Sequence, residues 1–293
     1  MQTATIHYGK LLLNRPRWVL RGVVAALATL AGVTSLEAQQ RRWIFQAGLF
    51  RCDDKRVQAS IGMEERWIRF HSQVSGRYVK LHALWLPQER ANAPVLLFLH
   101  GARWDVRSSA ARMRSLHAMG FSVLGIDYRG FGQSTSELPS ERMACEDALQ
   151  AWRWLAWRHP HTPRYLHGHS LGGAIAVQVA AEVKDAAGLI VESTFTSIPE
   201  LLGNIRWGWQ PLAAQITQRF DSAQHVPHVK VPFLVVHGSD DALIRPEYGR
   251  ALYEQATSPK RFVLVEGGAH HNTHAVGHAL YREAIGELFG IRS

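Results

Sequence analysis

A chain of 293 residues, 46% hydrophobic and 19% charged, is long enough to bury a full core and carries no block of like charges that would keep a segment disordered. Its 33 Lys and Arg against 24 Asp and Glu give a formal charge of +9, but the positives are scattered and no nucleic-acid-binding motif accompanies them. Nucleic acid is therefore not the expected partner, and an anionic membrane surface is the alternative that the charge allows. Two cysteines, Cys52 and Cys145, make neither a zinc spacing nor a disulfide framework.

The first element in chain order is an apolar stretch. Gly22 to Leu36, "GVVAALATLAGVTSL", is free of charge, and extended back to Trp18 it is interrupted only by Arg21. Lys10, Arg15, Arg17 and Arg21 precede it, as in the positive region of a signal sequence. About 20 apolar residues are needed to span the hydrocarbon of a bilayer. The stretch is expected to be a single-pass membrane anchor, with a cleaved export signal or a plain soluble helix as alternatives. Residues 1–40 are accordingly set apart from a single domain over 41–293. Basic residues on both flanks leave the orientation open.

Next come "ERWIRFHSQ" and "RYVKLHALWLP", loosely alternating around Ser75-Gly76, a pattern that predicts an antiparallel hairpin. Six short apolar runs follow, over 93–101, 121–130, 164–170, 188–194, 231–238 and 261–267. Near-continuous Val, Leu, Ile and Phe suit parallel strands buried on both faces. Helices are predicted between them over Ser108–Met119, Ser140–Arg158, Leu171–Val183, Pro246–Gln255 and Thr273–Leu288. Strands alternating with helices predict an α/β domain with a mostly parallel, doubly wound sheet. Ligands in such sheets sit beyond the carboxyl ends of the strands.

One of those ends carries "RYLHGHSLGGAIAVQVAA". Gly168-x-Ser170-x-Gly172 closes a predicted strand and opens a predicted helix, the setting in which a strained turn holds a serine hydroxyl clear of the sheet. The helix that follows aims its N-terminal amides at the same point. A serine near neutral pH needs a base, and the base needs an orienting carboxylate. The turn after a later strand, "VVHGSDDALIRP", offers Asp240 and Asp241, and the turn after the last strand, "VEGGAHHNTH", offers His270, His271 and His274. At the end of an early strand, "LLFLHGARW" places Ala102 where its N–H can join that of Leu171 as an oxyanion hole.

The chain from about Arg41 onward resembles the α/β-hydrolase superfamily in "HGARW", "DYRGFGQS", "GHSLGG", "VESTFTS", "HGSDDALIRP" and "GGAHHNT". "RRWIFQ", just after the apolar stretch, makes it most similar to membrane-anchored serine hydrolases, among them bacterial members and the animal α/β-hydrolase-domain depalmitoylases. The resemblance implies an α/β-hydrolase fold and hydrolysis of ester or thioester bonds, on lipid-like or acylated substrates, without a cofactor. It also implies a choice between neighbours: Asp241 as the acid and His270 as the base, with Asp240 and His271 in reserve. Ser170 is then the nucleophile.

The remaining features carry plainer expectations. "HHNTH" could ligate zinc in principle, but no HExxH motif is present and one base with its neighbours accounts for the cluster, so no metal is expected. Asp127 is expected to tie down the turn around Gly130 and Gly132, and His100 to shape the oxyanion loop from a buried position. Residues 201–230 are too few for a large helical cap. They predict a short flap, whose Trp207, Trp209 and Phe220 either line an acyl pocket or pack on the sheet. Two rival readings stand beside the esterase: a peptidase or amidase with the same triad, and a catalytically silent scaffold used for binding. Oligomeric state is not legible.

Overall fold

The computed structural model describes residues 34–47, 58, 60–205 and 215–291. All but the last three residues of the expected anchor, 18–36, lie outside these, and among the described residues no helix is long and apolar enough to cross a membrane. A helix over residues 34–45 (α1) comes first and runs across the expected boundary at 40/41. Its C-terminal end belongs to the folded body: Ile44 and Phe45 are buried, and Phe45 packs edge-on against Phe220 with ring centroids 5.7 Å apart. Phe220 is thus a packing residue, while Trp207 and Trp209 lie outside the described residues.

The predicted hairpin forms. Strands β1 (Glu64–His71) and β2 (Tyr78–Leu86) pair antiparallel, and the turn closes where Gly76 adopts φ 65°. The apolar runs then become β3 (Val95–Leu99), β4 (Ser122–Ile126), β5 (Arg164–His169), β6 (Gly188–Glu192), β7 (Phe233–Gly238) and β8 (Lys260–Val265). Together they make one sheet in the order β1-β2-β4-β3-β5-β6-β7-β8, antiparallel only at β1/β2 and β2/β4. Its near-continuous apolar strands bury both faces. In β3, Val95, Leu97 and Leu99 join one core cluster while Leu96 and Phe98 join the other.

Helices cover the two faces: α2 (Ala110–Ala118), α3 (Glu141–Arg158), α4 (Leu171–Glu182), α5 (Ile198–Ile205), α6 (Pro246–Gln255) and α7 (His278–Phe289). Two differences from the predicted helices have local causes. The chain enters α2 through a 3-10 turn, Val106–Ser109, capped by the Asp105 carboxylate accepting from the Ser108 amide at 3.0 Å. The helix predicted over Thr273–Leu288 is split into a single turn, Thr273–Val276, and α7, because Gly277 packs so tightly on Val265 that a Cβ there would collide with it.

The strand order fixes where a site can form. From β3 the chain crosses outward to β4 and then returns to the other side at β5, so the carboxyl ends of β3 and β5 flank a switch point. The residues after β3, β5, β7 and β8 therefore meet at one edge of the sheet.

Candidate active site

Ser170 sits between β5 and α4 with φ 56° and ψ −124°, a backbone conformation that a residue with a side chain adopts at a cost of about 1–3 kcal/mol. Surrounding bonds hold it there. Its amide donates to the Glu192 carbonyl at 2.9 Å, and the Ser170 carbonyl accepts from Thr194 Oγ1 at 2.8 Å. The two glycines of the motif are sterically required: a Cβ on Gly172 would collide with the Leu99 carbonyl, and one on Gly168 with the Gly172 carbonyl. The tight crossing of β5, α4 and the end of β3 leaves the Ser170 side chain as the group that projects.

The other expected groups arrive from the neighbouring strand ends. Ser170 Oγ donates to His270 Nε2 at 3.1 Å, and His270 Nδ1 donates to Asp241 Oδ2 at 2.8 Å. The second oxygen of Asp241 accepts from the amides of Leu243 and Ile244 at 3.0 and 2.8 Å. Burial works to raise the Asp241 carboxyl, but hydrogen bonds from His237 and His270, the electrostatic attraction of the His270 ring and the Ile244 amide outweigh it and hold the group well below the usual carboxylate range. Asp240 is turned away, its carboxylate accepting from Ser239 Oγ at 2.9 Å. His271 is exposed beside His270 rather than between the serine and the acid. His274 lies 4.0 Å from Glu192 and has no contact with Ser170 or Asp241 among those the structure gives.

Ala102 and Leu171 line the same cavity as Ser170. Leu171 is the first residue of α4, so its amide is one of the helix N-terminal donors without an intrahelical acceptor. The turn bearing Ala102 is shaped from both sides. His100, buried, donates from Nδ1 to the Gly101 carbonyl at 2.7 Å, and burial lowers its pKa against the attraction of Asp127. Arg103, at φ 77°, donates from its amide to the Phe45 carbonyl at 2.9 Å and from Nε to Gln46 Oε1 at 2.8 Å, which sews the end of α1 to this turn. The Asp127 carboxylate packs on Gly132 of the turn it is expected to tie, but its hydrogen bonds go elsewhere, from the Val106 amide at 2.7 Å and His82 Nδ1 at 2.8 Å.

The cavity over these groups holds about 510 Å³ and has two kinds of wall. Ile44, Phe195, Ile198, Leu201, Leu202 and Ile244 make an apolar side, from α1, the loop after β6, α5 and the loop after β7. Arg103, Ser109, Arg112, His271 and His274 make a polar side whose formal charges are positive. Trp43 and Leu243, 52% and 57% exposed, stand at the rim.

Three contributions escape a reading of sequence alone. The α1 wall carries no chemical motif, and the α5 wall includes the start of the 201–230 segment expected as a flap, where Leu201 and Leu202 rather than Phe220 line the cavity. Arg112 and Glu192 form a buried ion pair beneath the His270 loop, at 3.0 Å. Glu192 could have been found, because a glutamate inside the apolar run "GLIVE" must meet a partner when the strand is buried. Arg112, in "AARMRS", gives no such signal.

The sequence matches the family model described as "Serine aminopeptidase, S33" over residues 90–223 and 203–274, together more than half of the chain. It is 32% identical over 196 residues to an uncharacterized protein of Mycobacterium tuberculosis, covering 66% of this chain and 69% of that one. It is also 32% identical over 190 residues to the lysophosphatidylserine lipase ABHD12 of Danio rerio, covering 58% of this chain but only 49% of that protein. Among solved structures, an esterase of Pyrococcus furiosus superposes with a TM-score of 0.64 at 18% identity, over 82% of this chain and 95% of the esterase. Est1E from Butyrivibrio proteoclasticus superposes with a TM-score of 0.58 at 21% identity, over 76% and 96%. With a sheet of this order, a strained serine after its fifth strand and a family match across both, the chain belongs to the serine aminopeptidase S33 family of the α/β-hydrolase superfamily.

Proposed function

We propose that the chain is a serine hydrolase that cleaves carboxylic ester or thioester bonds through an acyl-enzyme. Ser170 Oγ attacks the substrate carbonyl as His270 Nε2 takes its proton, and Asp241 holds the imidazole in the required tautomer and stabilises its charged form. The amides of Ala102 and Leu171 receive the oxyanion, an interaction whose loss costs about 3–4 kcal/mol of transition-state stabilisation in comparable sites. His270 then protonates the leaving alcohol or thiol and activates the water that releases the acyl group. The single observation that carries this reading is the continuous hydrogen-bonded chain from Ser170 through His270 to Asp241, opening into one cavity.

The two-sided cavity favours an amphiphile. Its apolar wall suits an acyl chain, and its positive wall a polar or anionic leaving group. The resemblance to a lysophosphatidylserine lipase supports a single-chain acylated lipid of this kind. An aminopeptidase substrate fits less well, because an α-ammonium group needs an anion and, among the described residues, none lining the cavity is Asp or Glu. The apolar stretch over 22–36 and the +9 charge support delivery of the domain to a membrane, where such substrates reside.

Labelling with a fluorophosphonate probe tests the mechanism. The wild-type chain takes up the probe and its Ser170→Ala variant does not. Equal resistance of both would favour the silent scaffold. Hydrolysis of acyl esters with negligible cleavage of aminoacyl anilides separates the esterase from the peptidase.

A further inference from the structure

His270 does not stand alone at the cavity. His169, the last residue of β5, and His271 approach it: ring centroids are 5.0 Å apart for His169 and His270, 4.9 Å for His270 and His271, and 6.3 Å for His169 and His271. One ring nitrogen from each of the three lies within 4.8 Å of the others.

The hydrogen-bond partners decide where the lone pairs are. A carboxylate only accepts, so Asp241 keeps the proton of His270 on Nδ1 and leaves the lone pair on Nε2, beside Ser170. A carbonyl also only accepts. The His270 carbonyl, 2.9 Å from His169 Nε2, therefore fixes the proton there and leaves the lone pair of His169 on Nδ1. That nitrogen lies 3.5 Å from the point where Gly101 would carry a Cβ, a point only 3.1 Å from Ser170 Cβ. Two imidazole lone pairs are thus committed to the same corner of the cavity. His271, exposed at its edge, can swing a third into place.

We propose that His169, His270 and His271 form a site for zinc or a similar imidazole-loving divalent ion, and that its occupation switches the hydrolase off. The inference rests on the proposed role of His270 as base. Zinc takes imidazole nitrogens at about 2.0–2.1 Å, which places tetrahedral ligands roughly 3.4 Å apart, so rotation of His271 and small shifts of the buried rings close the present spread. Asp241 behind His270 is the carboxylate–histidine arrangement that orients a metal ligand and makes it more basic. A bound ion occupies the lone pair that would receive the Ser170 proton and fills the space of the substrate carbonyl. His274, the third histidine of "HHNTH", lies apart against Glu192, so the site is assembled from the elbow and the base loop rather than from that short motif.

Metal-stripped Ser170→Ala protein, which needs no turnover to be read, is titrated with zinc chloride by calorimetry and with cobalt(II) by visible absorption. One ion per chain and the absorption of tetrahedral cobalt are expected. Adding His271→Ala removes both, and His271→Cys, which replaces one ligand by another, restores binding. In the wild-type chain, zinc at ten times its dissociation constant lowers ester hydrolysis about tenfold, by mass action, and a chelator restores it. The proposal is overturned if Ser170→Ala binds no ion, if binding survives His271→Ala, or if bound zinc leaves turnover intact. A chain that binds one ion through His271 yet hydrolyses no ester would instead overturn the hydrolase reading and keep the metal site.

Discussion

Arg112 and Glu192 are paired beneath the loop that carries His270. Arg112 Nε and Nη2 donate to Glu192 Oε1 at 3.1 and 3.0 Å, and the same Nη2 donates to the His271 carbonyl at 3.3 Å. Because Arg112 lies on α2 and Glu192 ends β6, the pair fastens the His270 loop to the strand beside Ser170. Arg112→Met is expected to destabilise the chain by about 3–5 kcal/mol, since it strands a buried carboxylate. Adding Glu192→Leu removes that charge and returns most of the stability. The His271 carbonyl remains untethered, so kcat stays low in the double variant. Urea denaturation and ester kinetics on the two variants check this, and full recovery of kcat would reduce the pair to a stabilising role.

Ser170 predicts an inversion of the usual stability ranking. A glycine normally costs about 0.5–1 kcal/mol relative to alanine in regular structure. At φ 56° and ψ −124° the strain falls on any residue with a Cβ, about 1–3 kcal/mol. Ser170→Gly is therefore expected to melt higher than Ser170→Ala, with both inactive. Thermal unfolding of the two variants decides it, and equal or reversed melting points would show that the elbow is not strained.

Stability should fall steadily in mild acid. Burial depresses His167 to about 3, and it depresses His274 to about 4, with Arg112 acting in the same direction. Unfolded histidines titrate near 6.5, so between that pH and the folded values the unfolded chain binds more protons and stability rises with pH. Each such histidine contributes a slope of up to about 1.4 kcal/mol per pH unit in that window, and above it the contribution is constant. His274→Asn is expected to flatten the profile between pH 6.5 and about 4, measured by urea midpoints at stepped pH. An unchanged slope would show that His274 does not remain neutral in the folded chain.

The parts of this molecule that sequence makes legible are those with a local signature. The apolar runs read as strands because each is buried on both faces, and Ser170 is marked by glycines that the crossing of β5 and α4 demands. Asp241 and His270 needed more, since a doubled aspartate and a doubled histidine look alike in the chain and only resemblance to a family chose between them. The split at Gly277 was hidden because close packing on Val265, not a turn motif, breaks that helix. The walls from α1 and α5 and the Arg112–Glu192 pair depend on residues 80 or more positions apart meeting in space, for which no short pattern exists.

The apolar wall predicts how acyl chains are measured. Leu201 on α5 lines the cavity and is only partly buried at the edge of the core, so a larger side chain there can project into the cavity. Leu201→Trp should shorten the space available to a chain while leaving Ser170, His270 and the amides of Ala102 and Leu171 in place. On a series of p-nitrophenyl esters of rising chain length, kcat/KM for short acyl groups is expected to stay near wild type. For long ones it should fall by at least tenfold, equivalent to about 1.4 kcal/mol, which is less than the burial of two methylene groups contributes. A uniform loss across the series would mean that the chain lies elsewhere and that α5 only supports the cavity.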